Sequence, residues 1–161
     1  ANLATALLAS WVISNFEGAL AKMVALAVLM PIVASMGGNA GTQTMTVAVR
    51  ALATRELSSA NAWRIIRREL LVGVLNGMSF ALIMGVIAST WFHIPDLGVV
   101  IALAMVTVLA AAALGGILVP LVLTRLGVDP AVSSGPFVTT ITDVVGFFAF
   151  LGIATLWFGL K

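Results

Sequence analysis

The stretch MPIVASMGGNAGTQTMTVAVR, residues 30–50, decides how this chain is read. It is apolar enough to sit in a bilayer, yet Gly37, Gly38, Asn39, Gly41, Thr42, Gln43 and Thr44 interrupt its middle. Unwound backbone at membrane depth is tolerated only where protein buries it or water reaches it. Two explanations are open. In the first, the glycines let the helix unwind or admit a neighbouring backbone, with Gly37 and Gly41 as a small-xxx-small packing pair. In the second, the stretch lines a pathway, because Asn39, Thr42, Gln43 and Thr44 bring neutral oxygens and donors that packing alone does not require. The Asn and the Gln favour the pathway. Pro31 lacks a backbone N–H and predicts a kink just upstream.

The rest of the chain agrees with a membrane setting. Of 161 residues, 61% are hydrophobic and 9% charged, against about 25% charged in soluble domains. There is no cysteine, which excludes disulfides, thiolate metal sites and cysteine nucleophiles. The net charge of +2 rests on eight basic residues, which read as orientation signals rather than a nucleic-acid surface. The opening ANLATALLASWVISNF has no basic start and no polar segment after it, so a cleavable signal peptide is not expected.

About 20 predominantly apolar residues cross a bilayer as a helix. Five segments are predicted to do so: 2–16, 21–53, 70–92, 97–124 and 136–160. Arg50, Arg55, Arg64, Arg67 and Arg68 gather around the second connection and Arg125 marks the fourth, so both connections are predicted to be cytoplasmic. The other two carry Glu17 with Lys22, and His93 with Asp96. The expected fold is therefore an all-α membrane protein of five transmembrane helices with a kinked second helix, its N-terminus cytoplasmic and its C-terminus outside. Within the second connection, Ser58 or Ser59 is expected to cap a helix starting near Ala60. Trp63, Ile66 and Leu70 then share one face and Arg64, Arg67 and Arg68 another, an interfacial anchor. Gly73, Gly77, Ala81 and Gly85 recur every fourth residue, a close helix contact across which Asn76 could bond. Gly115, Gly116 and Pro120 suggest a flexible or kinked fourth span. His93 is expected to be an interfacial loop residue.

The last span holds one ionisable residue, Asp143, with Thr139 and Thr140 on its face. A carboxylate at that depth costs a few kcal/mol or more, so it faces protein or a wet cavity. The bland alternative, pairing with a neighbouring helix, lacks a basic residue in the middle of any other span. A soft metal would want histidine or cysteine, whereas this chain offers hard oxygens. Magnesium, commonly held through one or two carboxylates and its own waters, suits a single Asp143 per chain, and calcium would prefer a richer cage. A proton relay through Asp143 is also open. Glu17 is a candidate for attracting cations at an external entrance, or a solvated loop residue.

MPIVASMGGNAGTQTMTVAVRAL, then ELLVG, and DPAVSSGPFVTTITDVVGF near the end resemble the membrane domain of the MgtE magnesium transporter/channel family over the whole chain. The resemblance implies a homodimer in the lipid bilayer of the inner (plasma) membrane, with a magnesium-selective pore at the subunit interface lined by the second and fifth helices. It implies that Asp143 recognises hydrated Mg2+, with Asn39 nearby and Gly135 and Thr139 along the same pathway. Gly37, Gly38, Gly41, Gln43 and Thr140 are expected to line the pore. The expectation is one transmembrane pore domain over 1–161, an excised domain or a variant, without the cytosolic region and paired CBS domains usual in the family. It is not read as an enzyme. A proton- or sodium-coupled divalent-cation exporter using Asp143 as its coupling site is the alternative.

Overall fold

The computed structural model describes residues 2–57 and 61–160. Its elements are α1 (Asn2–Ser14), α2 (Glu17–Lys22), α3 (Val24–Ala53), α4 (Ala62–Phe92), α5 (Pro95–Arg125) and α6 (Pro130–Phe158), with no strand among the described residues. The all-α expectation holds. Four helices, α3 to α6, are long and apolar enough to cross a membrane, whereas α1 has 13 residues, about 20 Å of helix.

The helix ends differ from the sequence reading in instructive ways. Glu17 and Lys22 do not lie in an open loop but bound the short helix α2, which extended backbone at Met23 (φ −138°, ψ 87°) separates from α3. The interfacial segment around Trp63 and the third span are one continuous helix, α4, begun at Asn61. The expected capping serines, Ser58 and Ser59, lie outside the described residues, as does Ala60. The last span is predicted to start at Pro136, but α6 starts at Pro130. There Asp129 accepts a hydrogen bond from the Ala131 N–H (2.8 Å), and Pro130 fills the first position, where no backbone donor is needed. Pro136 therefore sits inside the helix. His93 closes α4 in the left-handed region (φ 55°) and, with Ile94, is the whole connection to α5.

Helix α5 is the hub. Its Leu97, Ile101, Met105 and Leu109 are buried with Leu26, Leu29 and Val33 of α3 and with Phe150, Leu151 and Ala154 of α6. Leu3, Leu82 and Leu156 are about three-quarters exposed or more (74%, 73% and 80%) and form part of an apolar exterior. In lipid, association depends on close fit rather than on apolar burial, so small residues mark the seams. A Cβ at Gly73 would lie 2.6 Å from the Ala113 Cβ and 2.9 Å from the Leu109 carbonyl oxygen, and one at Gly77 would lie 2.9 Å from the Val106 Cα. The four-residue stripe on α4 is thus its contact with α5, with the two helices antiparallel.

The glycines of the opening stretch act the same way. The chain stays helical through residues 37–44 rather than unwinding. Gly37 faces Val108 and Thr142, and Gly41 faces Val138 and Thr142, so these two glycines seat α3 between α5 and α6. A Cβ at Gly37 would come within 2.6 Å of a Val108 methyl, while one at Gly38 meets nothing within 4 Å. Gly37→Ala should therefore lower stability by about 1 kcal/mol or more. Gly38→Ala should be neutral or mildly stabilising, since alanine suits a helix better. Thermal unfolding of the two purified variants in detergent checks the contrast, and equal effects would contradict this packing.

Candidate ion pathway

On α6, Gly135, Thr139 and Asp143 follow one another at four-residue spacing and so run along one side of the helix. The Thr139 hydroxyl donates to the carbonyls of Gly135 and Pro136 (3.1 Å each), which engages its proton and leaves its oxygen as an acceptor. Asp143 is half-buried, and its carboxylate has no hydrogen bond or ion pair among the described residues. Two other threonines of α6 point elsewhere. Thr140 donates to the Pro136 carbonyl (2.6 Å) and shares a hydrogen bond with Thr5 of α1 (2.9 Å). Thr142 is fully buried against Gly37 and Gly41.

On α3 the polar residues divide by arc. Gly37 and Gly41 lie on the buried side. Asn39, two residues from each, is rotated about 200° from Gly37 and is exposed. Ser35, Thr42 and Thr46 are exposed with it. The threonine hydroxyls donate to carbonyls one turn back, Thr42 to Gly38 and Thr46 to Thr42, both at 2.8 Å. The Asn39 amide reaches the Ser35 hydroxyl only at 3.5 Å, the limit of a hydrogen bond. So α3 carries a polar stripe that faces away from its own bundle. Neither Asn39 nor Asp143 lines any of the three principal cavities.

Gln43, one turn after Asn39 and exposed like it, borders a niche between α3 and α4 that Glu69 and Asn76 also line. Glu17 is exposed in the first turn of α2, where its charge suits the helix dipole. The structure therefore aligns Gly135, Thr139 and Asp143, puts Gly37 and Gly41 at a helix seam beside Thr142, leaves Asn39 and Gln43 on the exposed side of α3, and turns Thr140 to α1. Glu69 is the half-buried helical carboxylate that the sequence reading passes over. Its signal is spacing: it precedes Gly73 by four residues and Asn76 by seven, so it shares the face of the glycine stripe.

Comparison with known proteins bears on this helical frame. Residues 30–153, from the start of the glycine-rich stretch to beyond Asp143, match the model of MgtE, a divalent cation transporter family. The chain belongs to the MgtE family. Three relatives, each called magnesium transporter MgtE, resemble it over nearly all its length. The Enterococcus faecalis protein is 38% identical over 145 residues, 90% of this chain and 32% of that one. The Bacillus subtilis protein is 36% identical over 92% of this chain and 33% of its own, and the Thermus thermophilus protein 37% over 94% and 34%. This MgtE chain thus spans about a third of the length of those relatives. With its apolar helices α3 to α6, it is a multi-pass membrane protein.

Proposed function

We propose that residues 1–161 form the pore domain of a magnesium transporter, and that two copies pass hydrated Mg2+ through a pathway between them. The observation that carries this reading is the Asp143 carboxylate, half-buried in α6 at the end of the Gly135–Thr139 line and without a protein partner among the described residues. An ionisable group held at membrane depth is costly, and its common use is an ion or proton path. Magnesium gives up its waters reluctantly, so carboxylates that contact it through those waters match its chemistry. The magnesium transporters at 36–38% identity supply the ion.

A second copy answers the question raised by α3. Asn39 and its exposed neighbours face away from the protomer's own α6, and such a stripe is costly against lipid. Facing a second protomer across a wet pathway, Asn39 offers neutral oxygen to an ion held by Asp143, with Gly38 leaving the wall open beside it. On this reading α1 and α3 to α6 are five spans, the second kinked at Pro31. The N-terminus is cytoplasmic, the C-terminus lies outside the inner (plasma) membrane, and Glu17 stands near the outer entrance. Inside-negative voltage then drives the divalent ion inward with about 4.6 kcal/mol per 100 mV, twice the value for one charge.

A lone carboxylate would also serve a proton- or sodium-coupled exporter, and flux separates the two. In proteoliposomes loaded with a magnesium dye, uptake should follow the Mg2+ gradient and the membrane potential and persist when proton and sodium gradients are abolished. Uptake that collapses with either gradient would reject the passive pathway.

A further inference from the structure

The niche that Gln43 borders contains no residue of α6 and has its own construction. It is a cavity of about 170 Å³ walled by α3 and α4 and floored by Leu109 of α5. Helices α3 and α4 barely meet elsewhere, because α5 stands between them. At Gly73 the missing side chain lets α4 settle against Ala113 and the Leu109 carbonyl. Glu69, one turn before Gly73, and Asn76, about one turn after it, then reach past α5 toward Gln43 and Thr44. The result is one carboxylate, two amides and a hydroxyl around a common space. Glu69 is half-buried there, yet Glu69, Gln43 and Asn76 make no hydrogen bond or ion pair with one another or with other described residues. Gln43 and Asn76 are exposed on the open side of the niche, and Glu69 is the half-buried member. The three side chains border room for several waters.

We propose that this niche is a second cation site, in which Glu69 supplies the charge and the Gln43 and Asn76 amide oxygens hold the water shell of a divalent ion. Every donor available is a hard oxygen, and the cysteine or histidine that a soft metal would take is missing from the niche. One carboxylate with neutral oxygens suits an ion that keeps most of its waters, and such a site is weak and quickly reversible. Its position gives it a role. Gln43 precedes Arg50 by seven residues, about 10 Å along α3, and Glu69 directly follows Arg67 and Arg68. The niche thus lies at the arginine-bearing end of the bundle, where an ion arrives after or before the Asp143 level. The choice of Mg2+ as occupant rests on the transport reading, while the site itself rests on the niche.

Crystals of the full chain soaked in millimolar Mn2+, a scatterer that substitutes for Mg2+, test both. Anomalous density beside Glu69, lost on competition with excess Mg2+, is the expected result. A niche empty at a concentration that fills the Asp143 level overturns the proposal. Density beside Glu69 with none near Asp143 leaves this site standing and rejects the transport reading instead. In solution, Mn2+ titration followed by paramagnetic resonance should show Glu69→Gln weakening one class of sites by about tenfold or more, with the class lost in Asp143→Asn retained. Unchanged binding in Glu69→Gln also overturns it, and if that variant fails to fold, the wild-type crystals decide alone.

Discussion

Asp143→Asn is expected to lower Mg2+ influx into proteoliposomes by about a hundredfold. The amide keeps the size and shape of the side chain and removes only its charge. A divalent ion held through water about 5 Å from a carboxylate interacts with it by about 7 kcal/mol at an effective dielectric constant of 20, before desolvation is subtracted. If a third or so survives, each carboxylate contributes about 2.2 kcal/mol, roughly fortyfold in occupancy, and a pair of protomers would lose two, so a hundredfold loss is a moderate expectation. Asp143→Glu, which keeps the charge but moves it by one methylene, should retain part of the flux. Asp143→Asn should also remove most of the stabilisation of the purified protein by Mg2+, leaving the weaker part that the Glu69 niche supplies, since only a ligand bound to the folded state raises the unfolding temperature. Undiminished flux in Asp143→Asn would remove Asp143 from the pathway.

Gly116→Leu is expected to have the largest effect on stability. A Cβ at this position would stand 2.7 Å from the Thr44 Cβ, 2.8 Å from the Gly41 carbonyl oxygen and 3.0 Å from the Met45 nitrogen. Two of those atoms are backbone and cannot rotate out of the way, so α3 has to move off α5 as a unit. Overpacking of this kind costs about 1–3 kcal/mol or more, which for a chain of this size lowers the unfolding temperature by about 5 °C or more. The damage reaches transport, because the displaced segment of α3 also carries Asn39 and Gln43. Calorimetry or tryptophan fluorescence of the detergent-solubilised variant measures the shift, and a variant as stable as wild type would mean that α3 and α5 do not meet at Gly116.

The helical class, the four long helices and the α4 glycine stripe are legible in the sequence because each depends on local apolarity or fixed spacing. Helix ends are less so. Pro136 reads as a start because proline often opens helices, but Pro130 opens α6 with the better cap, Asp129, before it. The run GGNAGTQT reads as one functional surface, and it is not one. Successive residues on a helix point about 100° apart, so Gly37 and Gly41 face α5 and α6, while Asn39 and Gln43, one turn apart on the other side, are exposed. Glu69 escapes notice because it follows two arginines and reads as part of an interfacial segment. Only the packing of Gly73 on α5 draws it inward.

The contact between Thr5 of α1 and Thr140 of α6 joins residues 135 positions apart, and α6 is the principal neighbour of α1. Helices α4 and α5, joined by two residues and sealed by their glycine stripe, can pair as soon as both have left the ribosome. Helix α1 is made before α6 and packs chiefly against it, so its seat is completed late. At about 5–20 residues per second, the ribosome adds the 135 intervening positions in about 7–27 seconds before that seat exists. The hydroxyl pair at Thr5 and Thr140 thus forms only once α6 is in place, which makes it a marker of completed assembly.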